Sequence, residues 1–354
     1  MRKLRVGILG CGKISEIYLK NLTGMFADRI TVVALADVML ESAMKRSEQF
    51  NISRFGGPEL LLAADDIDLI ANLTPAPVHY AMTRSILEAG KHVYSEKPLA
   101  LSMHEGRELV ELAKSKSLRL SVAPDTMLGA GVQKTRQLID AGEIGRVLAA
   151  TSLVTMNSVN EHYYSTFRGP LLDVGPYAVA AMLFILGPAK SVSGVVHAKR
   201  QPEPNSAVPP MPADLLTLDN PGNAAVTIEF ASGALATLLV SGEASRYFIT
   251  LKLFGSKGWI EAPDPNTFSG PVKVQIGFDT PSEPTIGFAY ADNARGVGIW
   301  DMAGAIAEGR PHRLSSDFSL HTLEVMLSAI ESSKAQKRIE LKTTFKPIEP
   351  MPAM

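Results

Sequence analysis

The segment Gly10-Cys11-Gly12-Lys13-Ile14-Ser15 lies between a continuous apolar run, Leu4 to Leu9, and a stretch with Ile14, Ile17, Tyr18 and Leu22 at helical spacing. No other feature constrains the fold as strongly. The apolar run suits a parallel strand covered on both faces. A chain turning sharply from such a strand into a helix, Ile14 to Leu22, that packs back on the sheet needs glycine at the turn. Gly10-x-Gly12-x-x-Ser15 is a near match to the dinucleotide fingerprint. There the first glycine makes the turn, the second lets the backbone approach a pyrophosphate, and a third small residue, here Ser15, allows close packing of helix on strand. Amides at the helix start, around Gly12, Lys13 and Ile14, then face phosphates. Asp37 closes the β-branched run Ile30 to Ala36 about twenty residues further on, as the fingerprint requires. The glycines alone would also suit an ordinary turn; their joint context favours a nucleotide.

Strand and helix signals keep alternating through the first third. Glu41 to Phe50 reads as a helix and Ile67 to Leu73 as a strand stopped by Thr74-Pro75-Ala76-Pro77. His79 to Ala89 is a helix ended by Gly90, His92 to Tyr94 a strand, Ser102 to Ser115 a helix and Arg119 to Val122 a strand. Such repeated βα units imply a doubly wound parallel sheet with right-handed crossovers. Further on, Val132 to Ala141 and Asp173 to Leu186 read as helices and Val147 to Met156 as a strand. Ala225 to Phe230, Ala234 to Ser241, Phe248 to Gly255 and Trp259 to Ala262 follow one another as hairpins, with Ser232-Gly233 as the first turn. Helices Gly298 to Glu308 and Leu320 to Ala335 close the chain, and proline-rich Gln201 to Asp214 is a surface loop. The expected fold is α/β: an N-terminal Rossmann domain, 1–124, and a C-terminal α+β domain, 125–354, with a large, mainly antiparallel, open-faced sheet.

The 354 residues carry a net charge of −1, which leaves no electrostatic footprint for nucleic acid or an anionic membrane. The apolar run at the start is too short for a signal peptide, and no stretch approaches a membrane span. A cytoplasmic chain is expected. The single cysteine, Cys11, excludes an internal disulfide and has a packing role. No spacing of His, Cys and carboxylates suggests a metal site. His312 and His321 read as structural.

Ionisable groups point to the chemistry. Glu96-Lys97-Pro98 ends a strand at the carboxyl edge of the sheet, where a dinucleotide and its substrate meet. A lysine there must be solvated or used, and its functional reading is a donor to a substrate oxygen. Asp173 and Tyr177, four residues apart in Asp173-Val174-Gly175-Pro176-Tyr177, project from one face of a helix start. A nearby ammonium would lower the tyrosine pKa from about 10 and make it a better proton acceptor. The alternative is an N-capping aspartate and a half-buried tyrosine. His162, Tyr163 and Tyr164 either bond and stack on a sugar or pack against the sheet. His79 lies either near the cofactor or simply at a helix start. Asp37, followed by Val38 rather than an arginine, favours NAD over NADP, because a carboxylate accepts from a ribose diol and repels a 2′-phosphate.

Taken in order, Gly10, Asn72-Leu73-Thr74-Pro75, Glu96-Lys97-Pro98, Asp173-x-Gly175-x-Tyr177, Gly309-Arg310-Pro311-His312 and His321-Thr322-Leu323-Glu324-Val325 resemble the Gfo/Idh/MocA family over nearly the whole chain. The resemblance implies that Lys97 donates to the reacting oxygen, that Lys97-Pro98 is a candidate cis bond and that Asp173 orients substrate. Many members carry histidine where this chain has Tyr177; others carry tyrosine, and the relay role passes to Tyr177 on that basis. The resulting expectation is an NAD-dependent dehydrogenase of a secondary alcohol on a sugar, inositol or related polyol. Cofactor contacts fall to Gly10, Gly12, Lys13, Ile14, Asp37, Thr74, Pro75, His79, Glu96 and Lys97. Substrate contacts fall to Lys97, Tyr163, Tyr164, Asp173 and Tyr177. A redox-neutral NAD-dependent glycosidase or lyase and a non-catalytic nucleotide-binding regulator are the alternatives. Alternating strands such as Ala225 to Phe230 would leave one sheet face uncovered, so a homodimer or homotetramer through that sheet is expected.

Overall fold

The computed structural model describes residues 2–157, 164–166, 168–202 and 209–354. The chain divides into two compact units, Met1–Asp125 with Asn293–Leu320, and Thr126–Asp292 with His321–Met354.

The first unit is built on strands β1 (Leu4–Leu9), β2 (Ile30–Ala36), β3 (Phe55–Gly56), β4 (Leu69–Asn72), β5 (His92–Ser95) and β6 (Leu120–Val122). All pair in parallel in the order β3-β2-β1-β4-β5-β6. Helices α1 (Ser15–Thr23), α2 (Leu40–Phe50), α3 (Pro58–Leu62), α4 (His79–Glu88) and α5 (Met103–Ser115) supply the crossovers. Strand order reverses between β1 and β4, and the crevice outside the strand ends at such a switch point is where doubly wound sheets bind ligands. The core is the apolar face of these elements: Val6, Ile8, Leu19, Leu22, Leu35, Leu69 and Val93 are all buried. Ile14 differs from its expected role. It precedes α1 and is 36% exposed, while Leu19 takes the buried position. Strand β4 is trimmed to Leu69–Asn72, and β3 and α3 are short elements without a clear periodic signal.

The second unit holds an eight-stranded sheet in the order β13-β12-β11-β7-β10-β9-β8-β14. These strands are β7 (Val147–Asn157), β8 (Ala189–Ala198), β9 (Pro221–Phe230), β10 (Leu235–Ser241), β11 (Glu243–Gly255), β12 (Gly258–Ala262), β13 (Lys273–Ile276) and β14 (Ile339–Glu340). Strands β9 and β10 form the expected hairpin. The expected pairing of β10 with β11 does not occur: β7 lies between them, parallel to β10 and antiparallel to β11. A strand from much earlier in the chain supplies the ladder there, which a local turn signal cannot reveal. Helix α6 (Ala130–Asp140) precedes β7. The single helix expected from Asp173 to Leu186 is two, α7 (Pro170–Asp173) and α8 (Gly175–Leu186). Pro176 lacks the N–H that would continue the ladder, and its ring crowds the preceding turn. Helix α8 is buried on nearly every side, so Asp173 and Tyr177 lie on two helices rather than on one face of one. Helix α9 (Val297–Glu308) belongs to the first unit, and α10 (Ser316–Ala335) begins earlier than its apolar pattern suggests. Among the described residues, no helix is long and apolar enough to cross a membrane.

Candidate active site

The loops after β1, β2, β4 and β5 gather at one edge of the first unit. Gly10 has φ +95°, and a Cβ there would stand 2.7 Å from the backbone carbon and oxygen of Leu73. Only glycine fits this turn. A Cβ on Gly12 would meet nothing within 4 Å, so its backbone is open to close approach by a ligand. Ser15 is fully buried, and its hydroxyl donates to the Gly12 carbonyl at 2.6 Å, fastening the loop to the first turn of α1. These features fit a dinucleotide: a tight turn, an uncovered glycine backbone and a helix start. Lys13 and Ile14 are exposed beside them.

Asp37 accepts the Cys11 amide at 2.7 Å on one oxygen and the Met39 amide at 2.8 Å on the other. A carboxylate has about four acceptor sites, so it braces the glycine loop and retains capacity for ribose hydroxyls. Burial, with the Asp37 charge adding, pushes the Cys11 thiol up to about 12, which keeps it unreactive. The sequence reading missed Arg46 on α2. It is buried, donates to the Gly12 carbonyl at 3.3 Å and pairs with Glu16 at 2.9 Å. Its place in an amphipathic helix gave no sign of this.

Thr74 donates to Asn72 Oδ1 at 2.6 Å, and Pro75 is exposed beyond it. His79 opens α4 but is 1% exposed. Its Nδ1 lies 2.8 Å from the Pro98 carbonyl oxygen and its Nε2 2.6 Å from that of Thr74. Both ring nitrogens are engaged by protein, so His79 supports the cofactor edge rather than offering it a polar atom.

The Lys97–Pro98 bond is cis, as is Ala123–Pro124. Glu96 and Lys97 are half-buried past the end of β5. Glu96 Oε1 accepts the Tyr18 hydroxyl at 2.8 Å, and Oε2 accepts the Lys97 amide at 3.1 Å. Tyr18 Oη is 3.4 Å from Tyr94 Oη, and the charge of Asp125 acts on the Tyr94 phenol. Asp125 in turn accepts the Gly296 and Gly298 amides at 2.8 and 3.1 Å. Burial, with Glu96 adding at Tyr18 and Asp125 at Tyr94, holds both phenols well above the usual tyrosine range, so they remain protonated donors. Burial also raises the Asp125 carboxyl, against the two amides that lower it.

In the second unit, Asp173 and Tyr177 are half-buried among neighbours that are buried. Tyr247, Asp264 and Asn266 accompany Tyr177, and the sequence reading missed them. The Asn266 side-chain amide donates to Tyr247 Oη at 2.8 Å and its backbone amide donates to Asp264 Oδ1 at 2.7 Å. Burial raises the Tyr247 phenol; the Asn266 bond opposes this, and Asp264 and Tyr177 add to it. These residues are scattered in sequence and carry no motif. Tyr164 is fully buried, with its ring against Gly169. His162 and Tyr163 lie outside the described residues. Among the described residues, no group of three or more His, Cys, Asp or Glu could hold a metal ion.

Residues 4–124 match the profile of an oxidoreductase family with an NAD-binding Rossmann fold, and residues 132–261 that of a GFO/IDH/MocA C-terminal domain. The dTDP-3,4-didehydro-2,6-dideoxy-alpha-D-glucose 3-reductase of Streptomyces violaceoruber is 31% identical over 202 residues, covering 55% of this chain and 58% of that one. The D-xylose 1-dehydrogenase (NADP(+)) of Hypocrea jecorina is 33% identical over 172 residues, covering 45% and 43%. The chain thus spans about half the length of these relatives. A levoglucosan dehydrogenase solved with NADH and L-sorbose superposes with a TM-score of 0.82 at 19% identity, covering 97% of this chain and all of that one. At that identity the likeness is one of fold.

Proposed function

The chain belongs to the Gfo/Idh/MocA oxidoreductase family, and we propose that it oxidises a secondary alcohol of a sugar, inositol or related polyol with NAD. One observation carries the reading: a half-buried lysine, Lys97, follows β5 at the same edge as the glycine turn and Asp37. Bound NAD would supply the acceptor for the hydride leaving the carbinol carbon. Lys97 takes the hydroxyl proton as the C–O bond becomes a carbonyl. Glu96 holds the Lys97 amide and so fixes the turn. Proton handling of this kind contributes about 10²–10⁴-fold. The backbone around Gly12, with Lys13 and Ile14, faces the pyrophosphate, and Thr74 and Pro75 flank the same edge. Asp173 as substrate-orienting group and Tyr177 as relay rest on the family motif alone. The free acceptor capacity of Asp37 supports NAD over NADP.

The second unit also supports self-association. Val195, Ala225, Leu239 and Leu153 stand in register across four strands. Val195 is 61% and Leu239 50% exposed. An apolar row of this kind fits a homodimer or homotetramer joined sheet to sheet.

NADH formation against a panel of sugars, sugar acids and inositols, with Lys97→Ala in parallel, tests the reaction. Turnover that the variant loses while still binding NAD supports it. Near-normal turnover in the variant rejects the proton-transfer role. Product formed without net NADH would move the chain to the redox-neutral class.

A further inference from the structure

Both ring nitrogens of His79 face carbonyl oxygens, Pro98 at 2.8 Å from Nδ1 and Thr74 at 2.6 Å from Nε2. A carbonyl only accepts. A neutral imidazole has one N–H, so one of these contacts would press a nitrogen lone pair against an oxygen lone pair within hydrogen-bond distance. The imidazolium donates at both ends and satisfies both. We propose that His79 is a positioning residue for Lys97, present as an imidazolium that ties the Lys97-Pro98 turn to the loop after β4. Pro98 directly follows Lys97. Thr74 adjoins Leu73, the residue against which Gly10 is packed. One ring therefore sets the lysine turn relative to the glycine loop. The inference rests on the proton-transfer role proposed above for Lys97.

Opposing effects act on the ring. Burial favours its neutral form, and the Lys97 charge adds to that; the Pro98 and Thr74 carbonyls and the Glu96 carboxylate favour the charged form. Its place at the start of α4 also disfavours a cation. Burial weighs toward a lowered pKa, but burial also makes an unpaired or repelling contact costly. The two carbonyls act at contact distance, and only the charged ring relieves both. The polar side chains nearby, Asn72 of β4 and Thr83 of α4, are neutral: the Asn72 amide donates to the His79 carbonyl at 3.4 Å and to the Thr83 hydroxyl at 3.1 Å.

Nitrogen-15 spectra of the histidine-labelled full chain at neutral pH read the charge directly, with the His79 ring assigned through bonds to its own backbone. Two proton-bearing ring nitrogens are expected; one bare nitrogen overturns the proposal. This readout depends on neither turnover nor a variant. In the assay above, His79→Gln should lower kcat by about 10²-fold, the scale of a 1 Å misplacement, with the dissociation constant for NAD little changed. Normal kcat in His79→Gln beside an inactive Lys97→Ala overturns the positioning role and leaves that of the lysine intact. Normal kcat in both variants rejects the role of the lysine itself.

Discussion

The Tyr18 hydroxyl donates to Glu96 Oε1 at 2.8 Å, joining the first helix to the turn that carries Lys97 across 78 residues of sequence. Tyr18 is 1% exposed, so the carboxylate would have no ready substitute for this donor. Tyr18→Phe should therefore cost about 1–3 kcal/mol of stability, read as a lower denaturant midpoint. An unchanged midpoint would mean that Glu96 does not depend on the bond.

The two loop glycines should separate folding from binding. Gly10→Ala forces a Cβ against Leu73 at positive φ and should destabilise by about 2 kcal/mol or more. Gly12→Ala meets nothing, so it should melt like wild type while losing affinity for NAD. Calorimetry and NAD titration on both variants give the comparison, and equal effects on melting would contradict it.

Asp37→Asn keeps an acceptor for the Cys11 amide and removes the charge that repels a 2′-phosphate. The preference for NAD over NADP should narrow by about tenfold, or about 1.4 kcal/mol. A wild-type protein that binds NADP more tightly would reverse the assignment.

Leu239 sits at the middle of the exposed row, between Ala225 and Leu153. Light scattering should find the wild type as a dimer or tetramer and Leu239→Lys shifted to monomer. A monomeric wild type at micromolar concentration would remove the sheet-to-sheet interface.

His321 behaves oppositely to His79. Its Nε2 accepts the Ala189 amide at 3.0 Å, and its Nδ1 meets Thr343 Oγ1 at 2.8 Å, which itself donates to Glu324 at 2.5 Å. The buried ring is therefore neutral, and burial holds its pKa at about 4, with Glu324 opposing. The unfolded ring titrates near 6.5. Between these values only the unfolded chain binds the proton, so stability falls as pH drops through that window and levels off below about 4. The loss is on the order of 3 kcal/mol. His321→Gln should flatten this limb of a pH–stability curve; an identical limb would assign it to other groups.

Much of the first unit was legible because each βα unit is written locally. Strands β1 and β2 have the bounds their apolar runs suggest, and Gly10 and Asp37 fall directly after strands, with Lys97 two residues past another, at one edge. The second unit was legible only in outline. Alternation along β10 says which residues are buried, but not that β7 is its neighbour. The proline break between Asp173 and Tyr177 was present in the sequence, yet the continuous apolar pattern outweighed it.

The parallel nucleotide-type sheet, the glycine turn and the motifs of the family can be read along the chain, since they follow from steric rules and periodicities acting over a few residues. The tertiary structure alone decided the ladder partners of β7, the bracing of Glu96 by Tyr18 and the two carbonyls facing His79. Each of those depends on groups distant in the chain, and a hydrogen bond is specified by where its partner lies in space.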